Sequence, residues 1–176
     1  MSRMGSEDRS VRRATPADAP AAARLLHDFN TEFEAATPGA HVLADRLHTL
    51  LSGAVTWVLL AGEPPAGIAV VTLRPNVWYD GPVALLDELY VVPELRGRGV
   101  GGALIERLLA DATTEGISAI EINVDEGDVD AQRFYERHGF SNTDPDSDER
   151  AFYYSRELLS TSVSAIFSTP PSSTNR

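Results

Sequence analysis

No cysteine occurs among the 176 residues. Disulfides, a thiolate nucleophile and a cysteine zinc site are therefore excluded. Long apolar runs are missing as well. Nothing approaches the roughly 18 consecutive apolar residues of a membrane-spanning helix, so no membrane partner is expected. The opening "MSRMGSEDRS" lacks the apolar core of a signal peptide, which makes a cytoplasmic protein the default expectation. Positive charge is scarce: the net charge is −11 at pH 7. That balance disfavours the broad basic face used to bind nucleic acid, and no nucleic-acid partner is expected. It mildly attracts cationic small molecules and repels anions, so any phosphate site must be local and concentrated. His27, His41, His48 and His138 show no metal-ligand spacing, and no metal is expected.

What is present is ordinary for a globular protein: 43% of the residues are apolar, enough for one domain with a substantial core. Residues 1–10 read as a flexible lead, 11–159 as the domain and 160–176 as a disordered tail rich in Ser and Thr. "SVRRAT" reads as a first strand. Thr15, Pro16 and Asp18 open a helix that carries Ala22, Leu25, Leu26 and Phe29 at helical spacing. A second helix is expected around Val42 to Leu51. "VTWVLLAG" and "GIAVVTLRP" then read as an antiparallel hairpin, and "VALLDELYVV" as a longer strand. A helix from about Gly99 to Glu115 presents Leu104, Ile105, Leu108, Leu109 and Ala112 as its buried stripe. "AIEINVD" is the next strand, Val129 to His138 a short helix, and "AFYYSREL" a last strand. Early antiparallel strands and a late β-α-β crossover make an α+β layout with a mixed sheet flanked by helices.

The stretch "LYVVPELRGRGVGGALIERLLADA" joins a strand to a helix through a cluster of glycines. It satisfies G-x-G-x-x-G through Gly97, Gly99 and Gly102, but a dinucleotide-binding unit needs its first Gly at the strand end and a second β-α-β half. Pro93 to Arg96 intervene, and too few strands follow. The better reading is an anion cradle at a helix N-terminus. Gly97, Gly99 and Gly101 let the backbone approach an anion, free amides and the helix dipole hold it, and Arg96 or Arg98 adds charge. Close packing of helix on sheet is the ordinary alternative for these glycines.

Arg96-Gly97-Arg98-Gly99-Val100-Gly101 resembles the R/Q-x-x-G-x-G/A signature of the GNAT superfamily, the acyl-CoA-dependent N-acetyltransferases. "LDELYVVPELRG" resembles that superfamily's central strand and loop, and "DVDAQRFYERHGF" its second cofactor segment. The likeness runs from about Val11 to Leu158. It implies the GNAT fold for residues 11–159, acetyl-CoA as cosubstrate, and a splay between the strand ending near Val92 and "AIEINVD". The pantetheine arm would bond the backbone of Leu89, Tyr90 and Val91, and the diphosphate would sit on residues 96–102, that is Arg96, Gly97, Arg98, Gly99, Val100, Gly101 and Gly102. Asp128 stands where the second segment commonly has Asn. It is carried as a cofactor-side residue, with an N-cap role as the alternative.

The chemistry then needs a base, since a lysine-type amine with a pKa near 10.4 is mostly protonated at neutral pH. Asp87 and Glu88 adjoin on the central strand, so strand alternation points them to opposite faces. The superfamily's use of an acidic residue from this strand favours Glu88 as the base. A backbone amide near Tyr90 or Val91 could serve the oxyanion. Tyr135, on the stripe Ala131, Phe134, Tyr135 and His138, matches the superfamily's proton donor to the leaving thiolate. Glu32 and Glu34, between the first two helices, and Asp87 are candidate contacts for a cationic acceptor. Trp78 and Tyr79 offer a substrate wall or a homodimer contact, with a locally packed turn as the ordinary alternative. The expected activity is transfer of acetyl to a primary amine, on a small molecule first and on a protein lysine or N-terminus second. A CoA-binding module without turnover is the rival of another class.

Overall fold

The computed structural model describes residues 10–143, 146, 147, 149, 150, 152 and 154–156. Its order is β1 (Val11–Arg13), a 3-10 turn (Pro16–Asp18), α1 (Ala19–Glu32), α2 (Ala40–Leu51), β2 (Thr56–Ala61), β3 (Gly67–Arg74), β4 (Val83–Val91), a second 3-10 turn (Pro93–Leu95), α3 (Val100–Thr114), β5 (Ala119–Ile122) and α4 (Val129–Arg137). The expected element order holds as far as α4. The expected tail and residues 1–9 of the expected lead lie outside the described residues, as do four of the eight residues of the expected last strand, 151–158; the other four carry no strand. One refinement is local: Pro16 opens a tight turn rather than the α-helix itself, and the Asp18 carboxylate accepts the Thr15 amide at 2.7 Å.

The five strands form one sheet in the order β1-β2-β3-β4-β5. Neighbours are antiparallel up to β4, and β4 pairs β5 in parallel across α3. A parallel neighbour needs a crossover, which α3 supplies. β2 and β3 are apolar along nearly their whole length because both sheet faces are covered. One face packs Trp57, Leu59, Ala69, Val71, Ala84 and Leu86 against Val100, Leu104, Ile105 and Leu108 of α3, with Phe134 and Tyr135 of α4 alongside. The other packs Val58, Leu60, Ile68, Val70 and Tyr90 against Ala19, Ala22, Ala23 and Leu25 of α1 and Leu47 of α2. The alternation is the period-2 rule of a strand. Full burial of Leu104, Ile105 and Leu108 contributes about 1.5–3 kcal/mol each. Gly67 lets α3 approach the sheet: a Cβ there would lie 3.1 Å from Val100 and 3.2 Å from Leu104. Among the described residues no helix is long and apolar enough to cross a membrane.

Candidate active site

The cradle forms where β4 ends and α3 begins. Gly97 (φ 71°) and Gly99 (φ 87°) occupy the left-handed region, which a side chain disfavours. Gly99 is the N-cap of α3, a helix of 15 residues. The amides of Gly97, Gly99, Val100, Gly101 and Gly102 donate to no protein acceptor among the described residues. Five unengaged donors thus lie at the positive end of a long helix, an arrangement that can hold an anion. The two readings of the glycines divide by position. Space above Gly97 and Gly99 is open, whereas a Cβ on Gly101 would lie 3.4 Å from Phe134 and one on Gly102 3.4 Å from His138. The first two shape the backbone; the last two admit α4.

Beside the cradle runs an open strand edge. β5 pairs β4 only from Val83 to Leu86, whereas β3 pairs it up to Val91. From Asp87 to Tyr90 the second edge of β4 therefore has no strand partner among the described residues, and its backbone groups can bond a ligand in strand fashion. At the end of this edge the Val91 carbonyl accepts Arg96 Nε at 2.9 Å.

Strand alternation misplaces the carboxylates. Ala84 and Leu86 pack on the α3 face, and so do Leu89 and Val91, so the phase jumps between 86 and 89. The register shows why: Val71 faces Leu86 and Val70 faces Glu88, which leaves Asp87 as the extra residue of a β-bulge. Asp87 and Glu88 therefore lie on the same face, not on opposite ones. Thr72 confirms the side, since its hydroxyl donates to Asp87 Oδ2 at 2.5 Å from the α1 face. Burial, and then the Asp87 charge, pushes the Glu88 carboxyl up to about 7. Asp87 is also raised, by burial, with its bond from Thr72 opposing. Thr72 was invisible from sequence: a lone Thr in an apolar strand carries no signal.

Tyr135 lies on α4, its ring edge-on to Phe134 (5.2 Å) and Phe140 (5.9 Å). Burial first, then Asp128 and Glu88, pushes its hydroxyl up to about 12. The tyrosine therefore stays protonated and sits within electrostatic reach of Glu88. Asp128 is the N-cap of α4, its Oδ1 accepting the Ala131 amide at 2.9 Å.

Arg96 and Glu32, read as a phosphate contact and an acceptor contact, face each other instead. Arg96 Nη1 and Nη2 donate to the two carboxylate oxygens of Glu32 at 2.6 and 2.7 Å. The Arg96 amide bonds the Pro93 carbonyl at 3.3 Å, so it too is engaged. Glu34 is exposed with φ 54° at the start of the segment joining α1 to α2. Trp78 and Tyr79 are not packed in a turn: they are 87% and 54% exposed, on a loop whose backbone is tied by the Asn76 side chain. Among the described residues no group of three or more His, Asp or Glu could hold a metal ion.

A profile of the Acetyltransferase (GNAT) family matches residues 22–140. Over 156 residues the chain is 32% identical to an aminoglycoside N(6')-acetyltransferase type 1 of Stenotrophomonas maltophilia, covering 85% of this chain and 94% of that one. A crystal structure from Arthrobacter sp. FB24 that carries an acetyltransferase assignment superposes with a TM-score of 0.80 at 54% identity, covering 90% of this chain and 99% of that one. AAC(6')-Iy, in complex with the bisubstrate analogue CoA-S-monomethyl-acetylneamine, shares the fold with a TM-score of 0.66 at 18% identity, over 85% of this chain and 98% of that one.

Proposed function

The chain belongs to the GNAT family of acetyltransferases, and from that premise we propose that it moves acetyl from acetyl-CoA to a primary amine on a small cationic molecule, by direct attack in a ternary complex. Acetyl-CoA supplies an activated thioester. The amides of residues 97–102 hold the diphosphate, with Arg98 at the rim, and the free edge at Leu89, Tyr90 and Val91 lines the pantetheine arm. The observation that carries this reading is the continuity of the two features: among the described residues, five unengaged amides at the start of α3 adjoin an unpaired strand edge that leads to Glu88.

Glu88 takes the amine proton at its carboxylate. From an ammonium near 10.4 to a carboxylate at about 7, transfer is uphill by about 5 kcal/mol; to an ordinary carboxylate near 4.3 it would be about 8. The raised value thus lowers the cost of making the nucleophile. Tyr135 stands by the leaving sulfur. Giving its proton up at about 12 to a thiolate near 8.5 would be uphill by about 5 kcal/mol. It therefore acts as a hydrogen-bond donor to the sulfur, and the proton collected by Glu88 is the one able to neutralise it. Asp87, beside Glu88 on the same face, draws the cationic acceptor in. Asp128 acts here through its cap, fixing the start of the helix that carries Tyr135.

Similarity to an aminoglycoside acetyltransferase over most of both chains favours a small polyamine-like acceptor over a protein. The test is thiol release from acetyl-CoA with kanamycin A, spermidine, free lysine and a peptide bearing a free N-terminus. Turnover with kanamycin A or spermidine supports the reading. Turnover with the peptide alone replaces the acceptor class, and CoA binding with no thiol release from any of them favours the non-catalytic module.

A further inference from the structure

We infer that Arg96 is a positioning residue: its fork to Glu32 clamps the end of α1 to the end of β4 and thereby sets the acceptor-side segment 33–39. The inference rests on the acetyl-transfer reading for what that segment borders, but not for the clamp itself.

The guanidinium uses its donors on two elements at once. Nε donates to the Val91 carbonyl at 2.9 Å, while Nη1 and Nη2 donate to the two oxygens of Glu32 at 2.6 and 2.7 Å. A bidentate pair of this kind fixes orientation as well as distance. The Tyr90 ring lies beneath, 5.5 Å from the guanidinium carbon. Tyr90 in turn packs against Phe29 of α1, with 5.3 Å between ring centroids, and Phe29 against Phe33 at the same distance. The Arg96–Glu32 fork joins the last turn of α1 to the loop that opens the cradle, and the Phe29–Tyr90 contact joins it to β4. Glu32, held below the usual carboxylate range by Arg96, stays charged.

The segment beyond α1 folds back on those same turns. The Ala35 amide donates to the Asn30 carbonyl at 2.8 Å, Asn30 Nδ2 donates to the Ala36 carbonyl at 2.9 Å, and His27 Nδ1 lies 3.2 Å from the Thr37 hydroxyl. The segment is bonded to α1 and has to move with it. Where the Arg96–Glu32 fork sets α1, it sets residues 33–39 on the face that carries Asp87 and Glu88. An arginine in the cradle loop thus serves the acceptor side of the site, not the anion.

The test compares Arg96→Met, Arg96→Lys and Glu32→Gln with the wild-type protein. Three readouts are taken: CoA affinity by calorimetry, amide hydrogen exchange along the whole chain, and steady-state kinetics with the best amine among kanamycin A, spermidine and lysine. The expected result is at least tenfold faster exchange at Phe33, Glu34 and Ala35 in Arg96→Met and Glu32→Gln, with the amides of β2 and β3 unchanged. CoA affinity should stay within threefold, and Arg96→Lys should recover part of the protection. Acceptor KM should rise at least fivefold, with kcat and acetyl-CoA KM within twofold. Unchanged exchange at residues 33–35 overturns the clamp, whatever the kinetics. A tenfold loss of CoA affinity in Arg96→Met but not in Glu32→Gln overturns it too, by making Arg96 a phosphate ligand. Uniformly faster exchange that includes β2 and β3 also overturns it, since that marks general destabilisation. Failure of the wild-type protein to bind CoA would instead strike the acetyl-transfer reading and leave the clamp standing on its exchange data.

Discussion

Replacing Glu88 by Gln tests the base and its environment together, because the same burial that tunes the carboxyl also destabilises the fold. The folded protein holds this group at about 7, against an ordinary 4.5 in the unfolded chain. A carboxyl with a raised folded pKa contributes full stability below the unfolded value and loses it as pH rises through the folded one. At pH 4 the group is mostly neutral in both states, and Glu and Gln should be nearly equivalent. By pH 8 the wild-type carries a half-buried charge that Gln lacks. The rise from 4.5 to about 7 sets an upper limit of about 3 kcal/mol, reduced by the solvent that still reaches the group. Glu88→Gln should therefore melt several degrees higher than wild-type at pH 8 and at the same temperature at pH 4, as read by calorimetry at about 2–4 °C per kcal/mol. Activity should move the other way, with thiol release slowed about 10²–10⁴-fold. The pH profile separates the two protons involved. Deprotonation of the amine gives a slope that persists to about 10, and Glu88 adds a break at about 7 that the variant should lack. Equal melting at both pH values, or a break at 7 that survives the substitution, would refute the assignment of base and burial alike.

Four further outcomes are expected. Asp87→Asn removes a negative neighbour that raises Glu88, so the break in the wild-type profile should move to lower pH; a shift to higher pH would contradict the shared face. Gly99→Asp puts a side chain at φ 87° and a charge among the unengaged amides, and CoA at a hundred times its wild-type Kd should no longer stabilise the variant, where wild-type gains about 2.7 kcal/mol. Tyr135→Phe should lower kcat about 10–100-fold, the value of a hydrogen bond to a charged group, while CoA affinity by calorimetry and the break at 7 stay put. Leu104→Ala, at a site with no exposed surface, should cost about 2–5 kcal/mol in urea denaturation.

Local signals carried most of the architecture. The apolar runs of β2 and β3, the stripe Leu104, Ile105, Leu108 and the stop at Gly116 are each encoded within a few residues, and the elements they mark formed where the pattern places them. The cradle was legible for the same reason: a strand, a glycine cluster and a helix start are adjacent in the chain. The Asp128 cap was legible as one of two alternatives, since capping depends on the next three residues. What escaped depends on partners far along the chain. Arg96 and Glu32 are 64 residues apart, and nothing near either marks the pairing. The packing of Gly101 and Gly102 against Phe134 and His138 is likewise a contact between distant segments.

The bulge at Asp87 is the misreading with the largest chemical consequence. Alternation in "LLDELYV" leaves no hint of it, because an extra residue is defined only against the partner strand. Yet the strand could not otherwise do what the chemistry requires. Were both carboxylates kept in a regularly alternating strand, either Asp87 or Glu88 would point among Leu104, Ile105 and Leu108, where an unpaired carboxylate is prohibitively costly. With the bulge, both carboxylates lie on the α1 face, Leu89 and Val91 return to the α3 core, and β4 keeps its bonds to β3 on either side. The same irregularity sits where β5 leaves β4, so the acidic pair stands at the point where the free edge begins. One residue of slippage therefore does three things: it keeps charge out of the core, sets Asp87 beside Glu88 so that their repulsion helps to raise Glu88, and places that carboxyl at the head of the strand edge offered to the thioester arm. Deleting Asp87 should restore regular pairing, with Leu86 and Glu88 as neighbours opposite Val71 and Val70, so that Glu88 keeps the α1 face and loses the charge that helps to raise it; the break at about 7 should move to lower pH, as in Asp87→Asn, and a deletion variant that loses Glu88 from that face, read as loss of the break altogether, would refute the bulge.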